Sequence, residues 1–158
     1  MDLRELAKKT NCSFRRLRYL VEHGIVPEPN ISFHGRGSVR PREFSEATGV
    51  LIACGAILLD AGVKRELVQR VIEVLPLIAV NTIKRKRVEL WWDLMMDAKK
   101  IVVVIADGQL IRLDTDFPLT NIGWLELISL KKVGLVHQPA VTLQIDIGHI
   151  RDQVVTRS

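Results

Sequence analysis

The residues best suited to bind a polyanion lie close together near the start of the chain, at Arg15, Arg16 and Tyr19. Guanidinium groups bind phosphate oxygens and base edges through hydrogen bonds of fixed geometry. At about 100° per residue, these side chains and Glu22 fall on one side of a helix. The other side is apolar and consists of Phe14, Leu17, Leu20 and Val21. The pattern predicts a helix that packs one face and presents the other.

A short helix and a tight turn precede this amphipathic helix. Leu3, Leu6 and Ala7 share one face of the first helix. The hydroxyl of Ser13 is predicted to cap the second helix by accepting a hydrogen bond from a free backbone N–H, and Gly24 is predicted to close that helix. Two helices joined by a turn of three or four residues, with arginines on the second, are typical of proteins that place a helix in the DNA major groove.

The distribution of charge supports the same region as a polyanion-binding surface. The chain has 158 residues, a net charge of +5 and a pI near 9.5. Residues 1–45 hold nine basic and five acidic residues, so 9 − 5 gives +4, and most of the net charge lies in the first third. The basic residues are Arg4, Lys8, Lys9, Arg15, Arg16, Arg18, Arg36, Arg40 and Arg42.

Residues 28–42, EPNISFHGRGSVRPR, are rich in proline, glycine and positive charge. They are interpreted as a short β-hairpin, or wing, that turns near Gly35 to Gly37. Such a wing would set Arg36, Arg40 and His34 beside a duplex backbone. A plain surface loop with solvated arginines is the alternative.

Two further helices are predicted before the middle of the chain. Ser45 is predicted to cap a largely buried helix that runs to about Asp60, with Gly49 and Gly55 allowing close packing. Another helix is predicted from about Lys64 to Leu75, and Pro76 marks its boundary.

Residues 81–100, NTIKRKRVELWWDLMMDAKK, combine a basic run with Val88, Trp91, Trp92 and Met95 at helical spacing. They are interpreted as a connecting helix with a solvated basic end. A dimer interface and a ligand pocket lined by the tryptophans are the two alternatives.

The sequence of the second half of the chain predicts β-strands, with the following elements. Ile101–Asp114 forms a β-hairpin through Asp107-Gly108, Val141–Ile147 forms a third strand, and a short helix follows near residues 150–155. Residues 122–132 are predicted to be helical. The fold class is therefore α+β, with a mainly helical domain over residues 1–75, a linker or dimerisation helix over 76–100 and a small mixed α+β domain over 101–158.

Composition argues against secretion, membrane insertion and metal binding. Charged residues occur throughout the first helix, so no signal peptide is expected, and the longest apolar run is about half of a membrane span. Cys12 and Cys54 form no CxxC pair. A reducing cytoplasm is expected, with both thiols as small buried hydrophobes and no metal or cofactor.

Catalysis is not expected either. Asp107 is explained by its turn, and Asp114 and Asp116 sit where a strand runs into a loop. His137 and His149 lie far apart without metal-ligand spacing. No nucleophile has an adjacent base.

The N-terminal stretch resembles the MerR-type (mercury-resistance regulator type) transcription factors. The family's leading ELAK is matched by residues 5–8, its Ser-capped recognition helix by Ser13 and LRY at 17–19, and its GLLPP by GIVP at 24–27. Three later features of the family are also matched. The family's wing arginine resembles Arg40, the aromatic-Ser pair that opens its third helix resembles Phe44-Ser45, and the small turn before its fourth helix resembles Ala61-Gly62-Val63. The resemblance covers roughly residues 2–75.

The resemblance implies roles for individual residues. Ser13, Arg15 and Arg16 would approach base edges or the adjacent backbone, while Arg18, Tyr19 and Arg40 would contact phosphates. Base contacts confer sequence preference and phosphate contacts set orientation. For Arg18 and Tyr19, packing within the protein is the competing explanation.

Departures from the family pattern are equally informative. Leu20 and Val21 replace a tyrosine and a glutamate, and residues 76–100 leave room for only an abbreviated dimerisation helix. No cysteine follows residue 75, which argues against a metal sensor.

The expected function is a cytoplasmic transcription regulator that binds a palindromic double-stranded operator as a homodimer, with an unknown small-molecule or protein effector at its C-terminal half. One alternative is an excisionase-like or architectural DNA-binding factor. Another is an interaction module on a helix-turn-helix scaffold.

Overall fold

A computed structural model describes residues 1–26, 43–83, 98–115, 124–127, 131–133 and 141–155, with Trp92, Met96 and Ser129. Over these residues the chain forms helices and an antiparallel sheet, which confirms the predicted mixed α+β class. The helices are α1 (Leu3–Thr10), α2 (Phe14–Glu22), α3 (Glu46–Asp60), α4 (Arg65–Ile83) and α5 (Ile147–Val155). The strands are β1 (Ile101–Ala106), β2 (Leu110–Thr115), β3 (Trp124–Glu126), β4 (Lys132–Val133) and β5 (Thr142–Asp146). Of the described helices, none combines the length and the hydropathy needed to cross a bilayer.

The chain divides into two compact units. The first comprises the described residues of Met1–Gln69 and of Ile150–Ser158, and the second those of Arg70–His149. The domain boundaries expected from the sequence stay a prediction. The structure adds that most of α5, the last helix, belongs to the same unit as α1.

Helix ends in the first unit are defined by side-chain caps and by glycine. The Asp2 carboxylate accepts hydrogen bonds from the backbone N–H groups of Arg4 and Glu5, both at 2.8 Å, and so caps α1. Gly24 follows α2 with φ +62°, in the left-handed region where a side chain is strained. The N–H of Ile25 then bonds to the carbonyl of Leu20 at 3.0 Å, which closes the helix as predicted.

The helix α3 is the buried centre of the first unit. The Ser45 hydroxyl accepts a hydrogen bond from the backbone N–H of Thr48 at 3.2 Å, so the predicted cap and helix start are confirmed. A methyl group added at Gly49 would lie 3.1 Å from the Met1 side chain and 3.5 Å from the Leu6 side chain of α1, which is the close packing expected of this glycine. Ile57 is an exception on this helix, because it is 37% exposed.

The sequence predicted that α4 ends before Pro76, which is wrong, because the helix continues through Pro76 to Ile83. A proline inside a helix removes one backbone hydrogen bond and typically costs about 3 kcal/mol. Burial offsets this cost, since four apolar residues in the turns just before the proline are almost inaccessible to water. They are Val71, Ile72, Val74 and Leu75.

The second unit is built on a five-stranded sheet in the order β4-β3-β2-β1-β5, antiparallel at every pair. The predicted hairpin is confirmed, with Ile101 opposite Thr115 and Ala106 opposite Leu110. Asp107 and Gly108 turn the chain with φ of +49° and +67°. The predicted strand near 141–147 is confirmed as β5.

Both faces of the sheet are apolar at β1, which lies between β2 and β5. Ile101, Val103 and Ile105 lie on one face with Ile111 and Ile145, and all are buried. The opposite face carries a cluster of Val104, Ala106 and Trp124, with partly buried Val102, Leu110 and Val133 around it. The Arg112 guanidinium lies 4.6 Å from the centre of the Trp124 ring on that face.

The predicted helix over residues 122–132 is wrong, because Trp124–Glu126 forms β3 and Lys132–Val133 forms β4. Trp124 and Leu125 belong to a short apolar run, and such a run fits a strand or a helix equally well by spacing. The open edge of β2 decides between them, since Ile111 pairs with Leu125. The final helix begins at Ile147, earlier than predicted.

Candidate nucleic-acid interface

The helix α2 is held by one apolar face. Leu17 and Leu20 are fully buried and Val21 is nearly so, and the helix packs against α1 and α3. The turn between α1 and α2 comprises residues 11–13. Apart from partly buried Tyr19, the remaining side chains of α2 are exposed.

Phe14 departs from the predicted pattern. The sequence placed it on the buried face, but its side chain is 42% exposed. It is the first residue of α2, and helical side chains lean toward the N-terminus, where no preceding turn exists to cover this ring.

Ser13 also departs from its predicted role, although it occupies the N-cap position. Its hydroxyl makes no capping hydrogen bond. The backbone carbonyl of Ser13 accepts from the N–H groups of Arg16 and Leu17 at 2.9 and 3.1 Å, so the helix begins without help from the side chain. Ser13 is exposed, which leaves its hydroxyl open to solvent.

The three arginines of α2 are all exposed, and they differ in their partners. The Arg16 Nε donates to the Asp60 Oδ1 at 2.9 Å, and the Arg18 Nε donates to the Glu22 Oε1 at 2.6 Å. Arg15 makes no hydrogen bond or ion pair with any residue that the structure describes. Arg15 is thus the most readily available cation on the helix.

The two ion pairs are too exposed to hold their arginines permanently. Arg16 and Asp60 are 48% and 50% exposed, and Arg18 and Glu22 are 61% and 51% exposed. Exposed pairs of this kind contribute roughly 0–1 kcal/mol each. A backbone phosphate, whose two non-bridging oxygens can accept two parallel hydrogen bonds from a guanidinium, can replace either carboxylate.

Tyr19 lies in a small cluster with two residues that sequence reasoning did not single out. Its ring centre is 4.3 Å from that of His23, and the Arg65 guanidinium lies 6.0 Å from the same ring. Arg65 also donates to the backbone carbonyl of His23 at 3.4 Å. The sequence feature that could have indicated Arg65 is its position at the start of α4, shortly after the turn at Gly62.

Of the two roles considered for Tyr19, the structure shows packing within the protein, and the phosphate contact stays a prediction. Its ring packs within the protein, while its hydroxyl makes no hydrogen bond to the described residues. The packed ring fixes where the hydroxyl points, which suits a phosphate contact.

One basic residue of this region is structural. Lys9 is only 9% exposed, and its Nζ donates to the Val154 carbonyl at 3.0 Å and lies 3.3 Å from the Glu5 carboxylate. A count of basic residues in the first third of the chain therefore overstates the charge available to a ligand.

Several residues weighed from the sequence lie outside the described residues. These include the wing residues Arg36, Arg40 and His34, the basic run at 84–87, Trp91, Asp116 and His137. Their predicted roles stay predictions.

The described residues show neither a metal-binding cluster nor a reactive cysteine. Among the described residues, no three His, Cys, Asp or Glu side chains come together as a metal site. Burial raises the pKa of the Cys54 thiol to about 12, and burial also raises the pKa of half-buried Cys12. Neither thiol has the lowered pKa of a reactive cysteine.

The chain matches no protein-family model. No curated protein sequence is significantly similar to it.

Proposed function

We propose that the protein is a sequence-specific double-stranded DNA-binding transcription regulator of the MerR type. The observation that carries the proposal is the exposed arginine set of α2, on a helix anchored by Leu17 and Leu20 and preceded by a three-residue turn. This arrangement suits insertion of a helix into the major groove.

The contacts of the arginines support a division of labour. Arg15 is free of partners among the described residues and lies in the first turn of α2, where recognition helices reach base edges. Arg18 and the Tyr19 hydroxyl lie further along the helix and are assigned to phosphates. Arg16 is assigned to base edges or to the adjacent phosphates, which it can contact once its ion pair with Asp60 is broken. Arg36 and Arg40 are assigned to the backbone on the sequence pattern alone.

The proposed operator is palindromic, because a two-fold dimer reads a two-fold site. The proposal places dimerisation and effector recognition in residues 76–158. Sedimentation analysis of the full chain, free and with duplex, tests the dimer separately from the DNA contacts.

The experiment that tests the proposal measures duplex binding by the full chain as a function of salt. A library of random duplexes is enriched on the protein, and the affinity of the enriched duplex is measured in an electrophoretic shift at low ionic strength. The Arg15→Ala variant is expected to bind between about fivefold and 150-fold more weakly, as for loss of a base contact of about 1–3 kcal/mol. Arg18→Ala is expected to lower the salt slope by about one.

Lys131→Ala is the matched control, because it removes one exposed positive charge from the other unit. It is expected to leave affinity and salt slope unchanged. Absence of salt-dependent duplex binding, or equal losses for Arg15→Ala and Lys131→Ala, contradicts the proposal.

A further inference from the structure

We infer that Phe14 reads the C5-methyl group of a thymine in the major groove and so helps to set the sequence preference of α2. This inference rests on the proposed function and names a specificity-determining residue for it. It adds an apolar contact to a surface otherwise described by arginines.

The exposure of Phe14 is the first observation. Every other apolar residue of α2 is buried, whereas Phe14 is 42% exposed. A single exposed apolar residue is ordinary on a protein surface. An exposed aromatic residue on a short helix that also carries three exposed arginines has a more specific use.

The position of Phe14 relative to the arginines is the second observation. Phe14 and Arg18 are four residues apart and therefore neighbours on the helix surface, and Arg15 follows Phe14 directly. The arginines bring the helix against phosphates and base edges, and the ring enters the groove with them. Ser13, exposed and free of a capping bond, directly precedes Phe14 in the chain.

The chemistry of the ring selects its target. A phenyl ring cannot accept or donate the hydrogen bonds that phosphates and most base edges offer. The thymine methyl group is the apolar feature of the major groove, and phenylalanine is among the side chains that contact it. Burying one methyl group corresponds to about a fourfold change in affinity.

The test compares thymine with uracil, which differs only by this methyl group. The duplex enriched on the full chain is synthesised with deoxyuridine at each thymine of one half-site in turn. The wild-type protein is expected to lose about fourfold in affinity at one or two of these positions. Phe14→Ala is expected to bind the thymine and uracil duplexes equally well.

Two further variants keep the result interpretable. Phe14→Leu retains an apolar side chain and is expected to keep most of the methyl effect. Ile57→Ala removes another exposed apolar side chain, from α3, and is expected to keep all of it. Thermal unfolding of each variant, followed by circular dichroism, establishes that the DNA measurements are made on folded protein.

The outcomes separate this inference from the proposed function. Sequence-selective binding without an effect of any thymine methyl overturns the inference alone, as does a methyl effect that survives in Phe14→Ala. If the Phe14 ring instead wedges between two base steps, it would bend the duplex without any dependence on thymine methyl groups, and this outcome also overturns the inference. Failure to bind any duplex overturns both.

Discussion

The ammonium group of Lys9 lies 3.0 Å from the backbone carbonyl of Val154, which is 145 residues further along the chain. The two groups join α1 to the end of α5, and both belong to the first unit. The last carbonyls of a helix have no partner within it, so a buried lysine there satisfies a group that would otherwise be unpaired.

Replacing Lys9 by methionine is therefore expected to destabilise the protein. The variant keeps the buried stem and removes the donor, which leaves the Val154 carbonyl unpaired at a cost of about 1–3 kcal/mol. Urea unfolding followed by circular dichroism measures the change. Lys8→Met is the control, because Lys8 is the neighbouring lysine on α1 and is exposed. This substitution should change stability by less than about 0.5 kcal/mol. Equal effects of the two substitutions would show that the Val154 contact is dispensable.

Removing the Asp2 carboxylate is expected to destabilise α1 in a manner that depends on pH. Hydrogen bonds from the Glu5 and Arg4 backbone N–H groups lower the pKa of Asp2 below its usual 3.8. The stability that the ionised Asp2 carboxylate contributes is therefore present above the pKa of Asp2 in the unfolded state. It is lost as the pH falls through the lower pKa of Asp2 in the folded state. Asp2→Ala should cost about 1 kcal/mol at pH 7.

The measurement for Asp2 is the free energy of unfolding at pH 7 and at pH 3. The difference between wild type and Asp2→Ala should shrink at the lower pH. Ser13→Ala is an internal comparison at the N-cap position of α2, and it should have little effect because that hydroxyl makes no capping bond. A loss for Ser13→Ala as large as that for Asp2→Ala would refute this assignment of the caps.

Neutralising the carboxylates that pair with the α2 arginines is expected to strengthen duplex binding. Glu22→Gln and Asp60→Asn release Arg18 and Arg16, respectively, from exposed ion pairs. Such pairs contribute up to about 1 kcal/mol, so each variant should bind roughly two- to fivefold more tightly at low salt. Glu126→Gln makes the same charge change in the other unit and is expected to have no effect. Weaker binding by the first two variants would mean that the carboxylates position the arginines.

The two cysteines are expected to differ in reactivity. With a pKa of about 12, roughly one Cys54 thiol in ten thousand is ionised at pH 8, so Cys54 should resist a disulfide reagent in the folded protein. Half-buried Cys12 should react first, though slowly. Labelling of Cys12→Ser and Cys54→Ser, in buffer and in urea, distinguishes the two thiols. Rapid labelling of folded Cys12→Ser would contradict the burial of Cys54.

The same thiol makes stability depend on alkaline pH. The unfolded thiol ionises near 9 and the folded one near 12, so the unfolded state loses its proton first as pH rises. Stability is therefore fully present below pH 9 and declines between 9 and 12. Cys54→Ala should show a shallower decline when unfolding is followed across this range.

The sequence was most informative where apolar spacing and local chemistry agree. The buried face of α2 followed from Leu17, Leu20 and Val21, and the β1–β2 turn followed from Asp107-Gly108. In both places, the interactions that decide the structure lie within a few residues of each other.

Sequence reasoning failed where the deciding partner is distant or the local pattern is ambiguous. Nothing near Lys9 indicates a carbonyl 145 residues away, and nothing near Trp124 indicates the open edge of β2. Phe14 fits an apolar stripe by spacing, but its place at the very start of α2 leaves it uncovered. At Pro76, the burial of preceding turns outweighs the local cost of proline.

The strand β1 has a consequence for how the chain can be shortened. Its six residues, IVVVIA, are all apolar, and one edge is covered by β5, which is made about 40 residues later. Until β5 is synthesised, the nascent chain on the ribosome exposes an apolar hexapeptide of high β propensity whose backbone hydrogen-bonding edge is unpaired. Segments of this kind promote cross-β aggregation. Shortened chains ending before Thr142 should accordingly precipitate on expression, whatever their remaining N-terminal residues can bind.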